Sequence, residues 1–210
     1  MAQLVIFSNP DKKFHEKWKP GDDLLNFPKP FRVLITGTTN SGKTSLVKNL
    51  LIKQQPDFER VYILSADPEA TEYQDIAGSN VHVLTELPDG DAMDRETSKL
   101  LIIEDVVLKE LKKAEHEKLH RLVCHTTTHR NLSVIVTAHD YFTVPTIVRR
   151  MTTVNILFRI LDKRSIPAVA QAVGLDNLEE RMEGFGQHDS LWIDTTGGPW
   201  LRKNGYEVLD

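Results

Sequence analysis

Arg32-Val33-Leu34-Ile35-Thr36-Gly37-Thr38-Thr39-Asn40-Ser41-Gly42-Lys43-Thr44-Ser45 is the stretch that decides how this chain is read. An apolar run ends at Gly37, residues 37–44 fit G-x-x-x-x-G-K-[ST] without deviation, and a helical pattern follows. The composition has a chemical reason. Gly37 and Gly42 allow backbone conformations that aim successive N–H groups at phosphate oxygens, and a helix starting at Lys43 adds positive potential. Lys43 then reaches the β- and γ-phosphates, while Thr44 offers a hydroxyl to Mg²⁺. Gly37, Thr38, Thr39, Asn40, Ser41, Gly42, Lys43, Thr44 and Ser45 are therefore the expected nucleotide contacts, with ATP and Mg²⁺ as the implied ligands.

Outward from this loop, apolar runs alternate with longer polar-periodic stretches. The runs are residues 33–35, 61–64, 81–84, 100–103, 134–136 and 154–158, and helices are predicted at about 43–54, 69–77, 108–129, 144–151 and 165–183. Continuous apolar runs, as opposed to alternating ones, indicate strands buried on both faces. The expectation is an α/β fold with a mostly parallel central sheet flanked by helices. Leu191-Trp192-Ile193 and Trp200-Leu201-Arg202, joined by a Gly-Gly-Pro turn, read as a C-terminal hairpin at a sheet edge or a subunit contact. Residues 1–30, broken by Pro10, Pro20, Pro28 and Pro30, read as an N-terminal arm, and residues 31–210 as a single domain.

The run at 100–103 ends in Glu104-Asp105. A carboxylate at that strand end is suited to Mg²⁺, and a second beside it to the attacking water. The order of the two acids leaves open which does which. Two adjacent acids fit a nucleotide hydrolase whose sheet carries an additional strand; a small-molecule kinase would also want an arginine-rich lid, and none is visible. The strand around residues 133–138 is expected between the other two, placing His139, with Thr137 second, near the terminal phosphate. Upstream of it, Arg130 is placed to complete a neighbouring subunit's site, with Arg149 and Arg150 as the second candidates.

Taken in order, residues 31–44, 101–105, 129–136 and 144–158 resemble the poxvirus-type genome-packaging ATPases of the FtsK–HerA superfamily. The resemblance spans roughly residues 30 to 160. It implies a RecA-like P-loop NTPase of the additional-strand class that hydrolyses ATP and translocates double-stranded DNA into a viral capsid. It also implies a homo-oligomeric ring, pentamer or hexamer, a capsid or portal-vertex partner, and a place in the host cell cytoplasm or the virion. Family members usually carry Gln or Asn at the strand tip where this chain has His139. A cellular or plasmid DNA translocase shares the same chemistry, and a P-loop nucleotide kinase or a nucleotide-gated assembly protein are more distant alternatives.

The remaining features bound the reading. Of 210 residues, 40% are hydrophobic and 27% charged, ordinary for a globular chain, and the net charge of −4 does not advertise nucleic acid. A single cysteine, Cys124, excludes an internal disulfide framework. The sequence shows neither an apolar run long enough to span a membrane nor a secretion signal. His116, His120 and Cys124 recur at helical spacing, but no second Cys/His cluster accompanies them, which favours packing over zinc. Lys109, Lys112, Lys113, Lys118 and Arg121 read as a solvated helix face, whereas Lys163-Arg164 is the better candidate for DNA phosphates. Phe14, Trp18 and Phe27 read as packing aromatics.

Overall fold

The computed structural model describes residues 23–25, 27–54, 58–65, 73, 80–196 and 200–209. In chain order it contains β1 (Arg32–Thr36), α1 (Lys43–Gln54), β2 (Arg60–Ser65), β3 (Val81–Leu84), β4 (Lys99–Glu104), α2 (Lys113–Arg121) and α3 (Thr127–His129). There follow β5 (Leu132–Ala138), α4 (Thr146–Met151), β6 (Val154–Phe158), α5 (Ile166–Val173), α6 (Leu178–Arg181), β7 (Ser190–Asp194), β8 (Leu201–Lys203) and β9 (Glu207–Val208). Among the described residues the strands form one nine-stranded sheet, ordered β3-β2-β4-β5-β1-β6-β7-β8-β9. Pairings from β3 to β6 are parallel; β7, β8 and β9 continue the sheet antiparallel.

Burial on both faces explains the apolar runs. Along β4, Leu100 and Ile102 face one core cluster and Leu101 and Ile103 the other; along β1, Val33 and Ile35 oppose Leu34 in the same way. Val47, Leu50 and Leu51 of α1 cover one face together with Phe27 and Phe31. Leu119, Val148, Val169 and Leu178, from α2, α4, α5 and α6, cover the other. Phe27, read as part of the arm, is fully buried, its ring centroid 5.3 Å from Phe31 and 5.8 Å from Trp192. Phe14 and Trp18, and the 69–77 helix apart from the buried Tyr73, lie outside the described residues.

Several boundaries differ from the sequence expectation. The helix expected over 108–129 is a single turn at 108–110, then an extended pair (Leu111 ψ 142°, Lys112 ψ 159°), then α2 continuing through a wider π-type turn at 122–126 into α3. The break lets Leu108 tuck into the core, where it is buried. The helix expected over 165–183 divides into α5 and α6 because Gly174, at φ 69°, ends α5, with the Leu175 N–H returning to Ala170 O at 3.0 Å. Residues 81–84, read as buried on both faces, form the edge strand β3, and Val83 is largely exposed.

This topology gathers the carboxyl ends of β1, β4, β5 and β6 along one rim of the sheet. In open α/β sheets that rim is where ligands bind.

Candidate functional site

The loop of residues 37–44 sits on this rim. The Gly37 N–H donates to Ala138 O at the end of β5 (3.2 Å), and the Ser41 N–H donates to Thr38 O (3.2 Å), which curls the loop on itself. Asn40 (φ 61°) and Gly42 (φ 107°) adopt left-handed conformations, the second favouring glycine strongly. Gly37 is demanded by close approach instead: a Cβ there would lie 2.6 Å from Phe158 Cβ and 2.7 Å from Ser41 Oγ. Lys43, Thr44 and Ser45 open α1, whose free N–H groups and dipole suit an anion.

Lys43 is buried at 5% exposure. Its Nζ donates to Gly37 O (2.9 Å) and Thr38 O (3.2 Å) and lies 3.2 Å from His139 Nδ1. Thr44 Oγ1 donates to Glu104 Oε1 at 2.7 Å across the sheet rim. Glu104 closes β4 and is itself buried. The chain then turns sharply: Asp105, at φ 50°, points back over β5. Its N–H donates to Thr137 Oγ1 (3.0 Å), the Thr137 hydroxyl donates to its Oδ1 (3.2 Å), and its Oδ2 lies 3.7 Å from His139 Nε2. Of the two adjacent acids, Glu104 meets Thr44, and Asp105 meets Thr137 and His139.

The hydroxyl and carboxylate oxygens of Thr44 and Glu104 form a hard, all-oxygen pair at the loop's mouth. Magnesium prefers such a set, completing its shell with water and phosphate. The residues present therefore fit the implied ion.

A cleft of about 950 Å³ opens over the loop and is lined by residues 39–46, Glu104, Asp105 and His139, and also by Phe158, His188 and Asn204. Gln187 Nε2 donates to Asn40 O (3.2 Å), and His188 Nδ1 lies 3.0 Å from Ser41 O. Because a carbonyl only accepts, that nitrogen of His188 carries the proton. Sequence reasoning missed these two residues. They reach the loop only because β7 pairs with β6, Phe158 facing Ser190, and no local pattern around them announces it.

Arg130 lies at the other end of β5, away from this chain's own phosphate loop, and its guanidinium donates to Met93 O. Arg149 is engaged by Val144 O (3.1 Å) and Thr146 Oγ1 (3.1 Å) and stacks over Tyr141 and Phe142. Arg150 is exposed. On the α2 side, Lys118 pairs with Glu115 (3.0 Å) and Arg121 with Asp91. Lys163 contacts Glu179 (3.1 Å) and Arg164 lies 3.8 Å from Asp162. Cys124 Sγ is 3.9 Å from His120 Nε2, and burial pushes the thiol above its ordinary pKa.

Fold and site together define a RecA-like P-loop domain. Over 83% of its length the chain is similar to 97% of B204, the DNA-packaging ATPase from Sulfolobus turreted icosahedral virus (TM-score 0.66, 15% identity). Over 86% it is similar to the whole of the genome packaging NTPase B204 from Sulfolobus turreted icosahedral virus 2, solved in complex with ATP-gammaS (TM-score 0.62, 17% identity). Over 97% it is similar to 71% of the pCW3 conjugation coupling protein TcpA (TM-score 0.57, 12% identity). At these identities the likeness is one of fold, and it does not single out the poxvirus type. No family model matches the chain, and no curated protein does.

Proposed function

We propose that this chain is an ATP-hydrolysing motor that moves double-stranded DNA, and that its setting is the filling of a viral capsid. The observation that carries the reading is the 2.7 Å contact between Thr44 Oγ1 and Glu104 Oε1 beneath the phosphate loop. In this reading it joins the two halves of a metal-nucleotide site from residues 60 apart in the sequence. The likeness to packaging ATPases supports the DNA substrate, and the likeness of TcpA over 97% of the chain supports a plasmid or cellular translocase as the second reading.

In this mechanism the N–H groups of residues 37–45 hold the triphosphate, and Lys43 exchanges its loop carbonyls for phosphate oxygens. Thr44 and Glu104 would hold Mg²⁺, which supplies charge neutralisation on the phosphates. Asp105 and His139 face the terminal phosphate position and handle the attacking water. Positioning and fixed charge supply most of the acceleration. An arginine of a neighbouring copy, with Arg130 first and Arg149 or Arg150 second, stabilises the developing charge and ties turnover to a pentameric or hexameric ring. Lys163 and Arg164, whose ion pairs with Glu179 and Asp162 are exposed, grip DNA phosphates without reading bases. A capsid or portal-vertex protein is the expected docking partner, in the infected cell's cytoplasm or on the virion. Among the described residues no helix is long and apolar enough to cross a membrane.

The test is phosphate release against protein concentration, with and without double-stranded DNA, for the native chain, Lys43→Ala, Arg130→Ala and their mixture. The native chain is expected to be stimulated by DNA and by concentration, and each variant to be inactive alone. The mixture regains activity because each copy supplies what the other lacks. Failure of that recovery removes Arg130 from the trans role. Phosphate release indifferent to DNA removes the motor.

A further inference from the structure

His139 stands where its chemistry is more than that of a phosphate sensor. Lys43 Nζ has only protons to give, so its 3.2 Å contact with His139 Nδ1 requires that nitrogen to accept. The neutral ring then carries its proton on Nε2, the atom that faces Asp105 Oδ2 at 3.7 Å. Apo-state contacts of this kind tighten when substrate closes the site. Asp105 is not free to swing: its N–H and Oδ1 are both tied to Thr137 on β5, and its left-handed backbone holds the turn. Thr137 orients Asp105, Asp105 Oδ2 faces the imidazole, and the imidazole presents a lone pair beside the lysine that seeks the phosphates. Glu104, meanwhile, accepts from the Thr44 hydroxyl.

We propose that His139 is the general base for the attacking water, with Asp105 as the group that fixes its tautomer. The inference deepens the hydrolase reading above and rests on it. When a triphosphate draws Lys43 away, Nδ1 loses its donor and its lone pair becomes available. A water O–H bond then breaks, its proton passing to Nδ1, as the water oxygen bonds the γ-phosphorus. The bond from that phosphorus to the β–γ bridging oxygen breaks, and the electron pair leaves with ADP. The imidazolium so formed is stabilised by the Asp105 carboxylate and returns its proton to solvent. The same logic of carboxylate, ring and lone pair orients the histidine of serine hydrolases.

The experiment compares ATP turnover and nucleotide binding in the full chain, native and substituted. The His139 side chain is 55% exposed, so replacing it leaves the core intact. His139→Gln, the residue type usual at this tip in the family the sequence resembles, is expected to bind the nucleotide normally yet hydrolyse it about 100- to 10,000-fold more slowly. Added imidazole is expected to restore at least about tenfold of the activity lost in His139→Ala and to leave Asp105→Asn unchanged, since the histidine is still present there. Independently, ¹⁵N spectra of the native chain should show His139 protonated on Nε2. His139→Gln turning over at the native rate, imidazole without effect on His139→Ala, or an Nδ1-protonated ring would each overturn the proposal. A native chain that binds ATP yet releases no phosphate under any condition would instead overturn the hydrolase reading, so the two failures are distinguishable.

Discussion

Replacing Gly37 by alanine probes the cradle with a single methyl group. That methyl would meet Phe158 Cβ at 2.6 Å and Ser41 Oγ at 2.7 Å, where carbon atoms in comfortable contact stand about 3.5–4.0 Å apart. The Ser41 hydroxyl can rotate away. Phe158 Cβ cannot, because it is bonded directly to the β6 backbone, whose neighbour Leu157 is registered against Thr36 of β1. The loop itself must therefore lift from the sheet. Overpacking of this kind costs about 1–3 kcal/mol, and each kcal/mol lowers the melting temperature of a domain this size by about 2–4 °C. A fall of roughly 2–12 °C is expected by circular dichroism. Lifting the loop also misaims its N–H groups and parts Lys43 from Gly37 O, so affinity for a nonhydrolysable ATP analogue should fall in the same variant. Truncating the neighbour in the same chain, Phe158→Ala, removes the 3.2 Å approach to Cγ but keeps the closer Cβ, and should bring little relief. A Gly37→Ala chain that melts and binds like the native one, or its repair by Phe158→Ala, would refute the crowding at this position.

Two further outcomes follow from groups remote from the cleft. Asp194→Ala removes the carboxylate 3.4 Å from Arg202, which is fully buried and 5.2 Å over the Trp192 ring; a loss of about 3–5 kcal/mol in denaturant unfolding is expected, with the nucleotide affinity of the folded protein unchanged. The Asp94 carboxyl is held far below the usual carboxylate range by the Thr97 N–H first, then by the Thr97 hydroxyl and Lys99. Its contribution is present above the unfolded value, near 4, and is lost as pH falls toward the depressed folded value. Because the side chain is 39% exposed the effect is modest, and Asp94→Asn should flatten the acid side of the stability profile below about pH 4, as read by urea unfolding against pH.

The parts of this molecule with strong local constraints were legible before the fold was known. The phosphate loop needs glycine where backbone or neighbour crowds it, and buried parallel strands need apolar runs on both faces, so both leave marks in sequence. The placement of β5 between β4 and β1 was expected from the class of P-loop sheet and is what the strand order shows; the order of the runs along the chain does not contain it. Other features depend on what lies opposite in space. Nothing local tells Glu104 from Asp105; their surroundings diverge only when α1 brings Thr44 to one and β5 brings Thr137 to the other. Arg130 is close to His139 in sequence, but β5 carries the two to opposite ends of the sheet. His188 reaches the loop through strand pairing alone, and β9, two exposed residues long, has no apolar pattern to read.

The most direct test of the account is a calorimetric titration of a nonhydrolysable ATP analogue, with and without Mg²⁺, into the native chain, Lys43→Ala, Glu104→Gln and Asp105→Asn. Native binding should strengthen with Mg²⁺, Asp105→Asn should keep that dependence, Glu104→Gln should lose it, and Lys43→Ala should bind weakly throughout. Equal binding by all four chains, or a Mg²⁺ dependence that disappears with Asp105 and survives without Glu104, would contradict it.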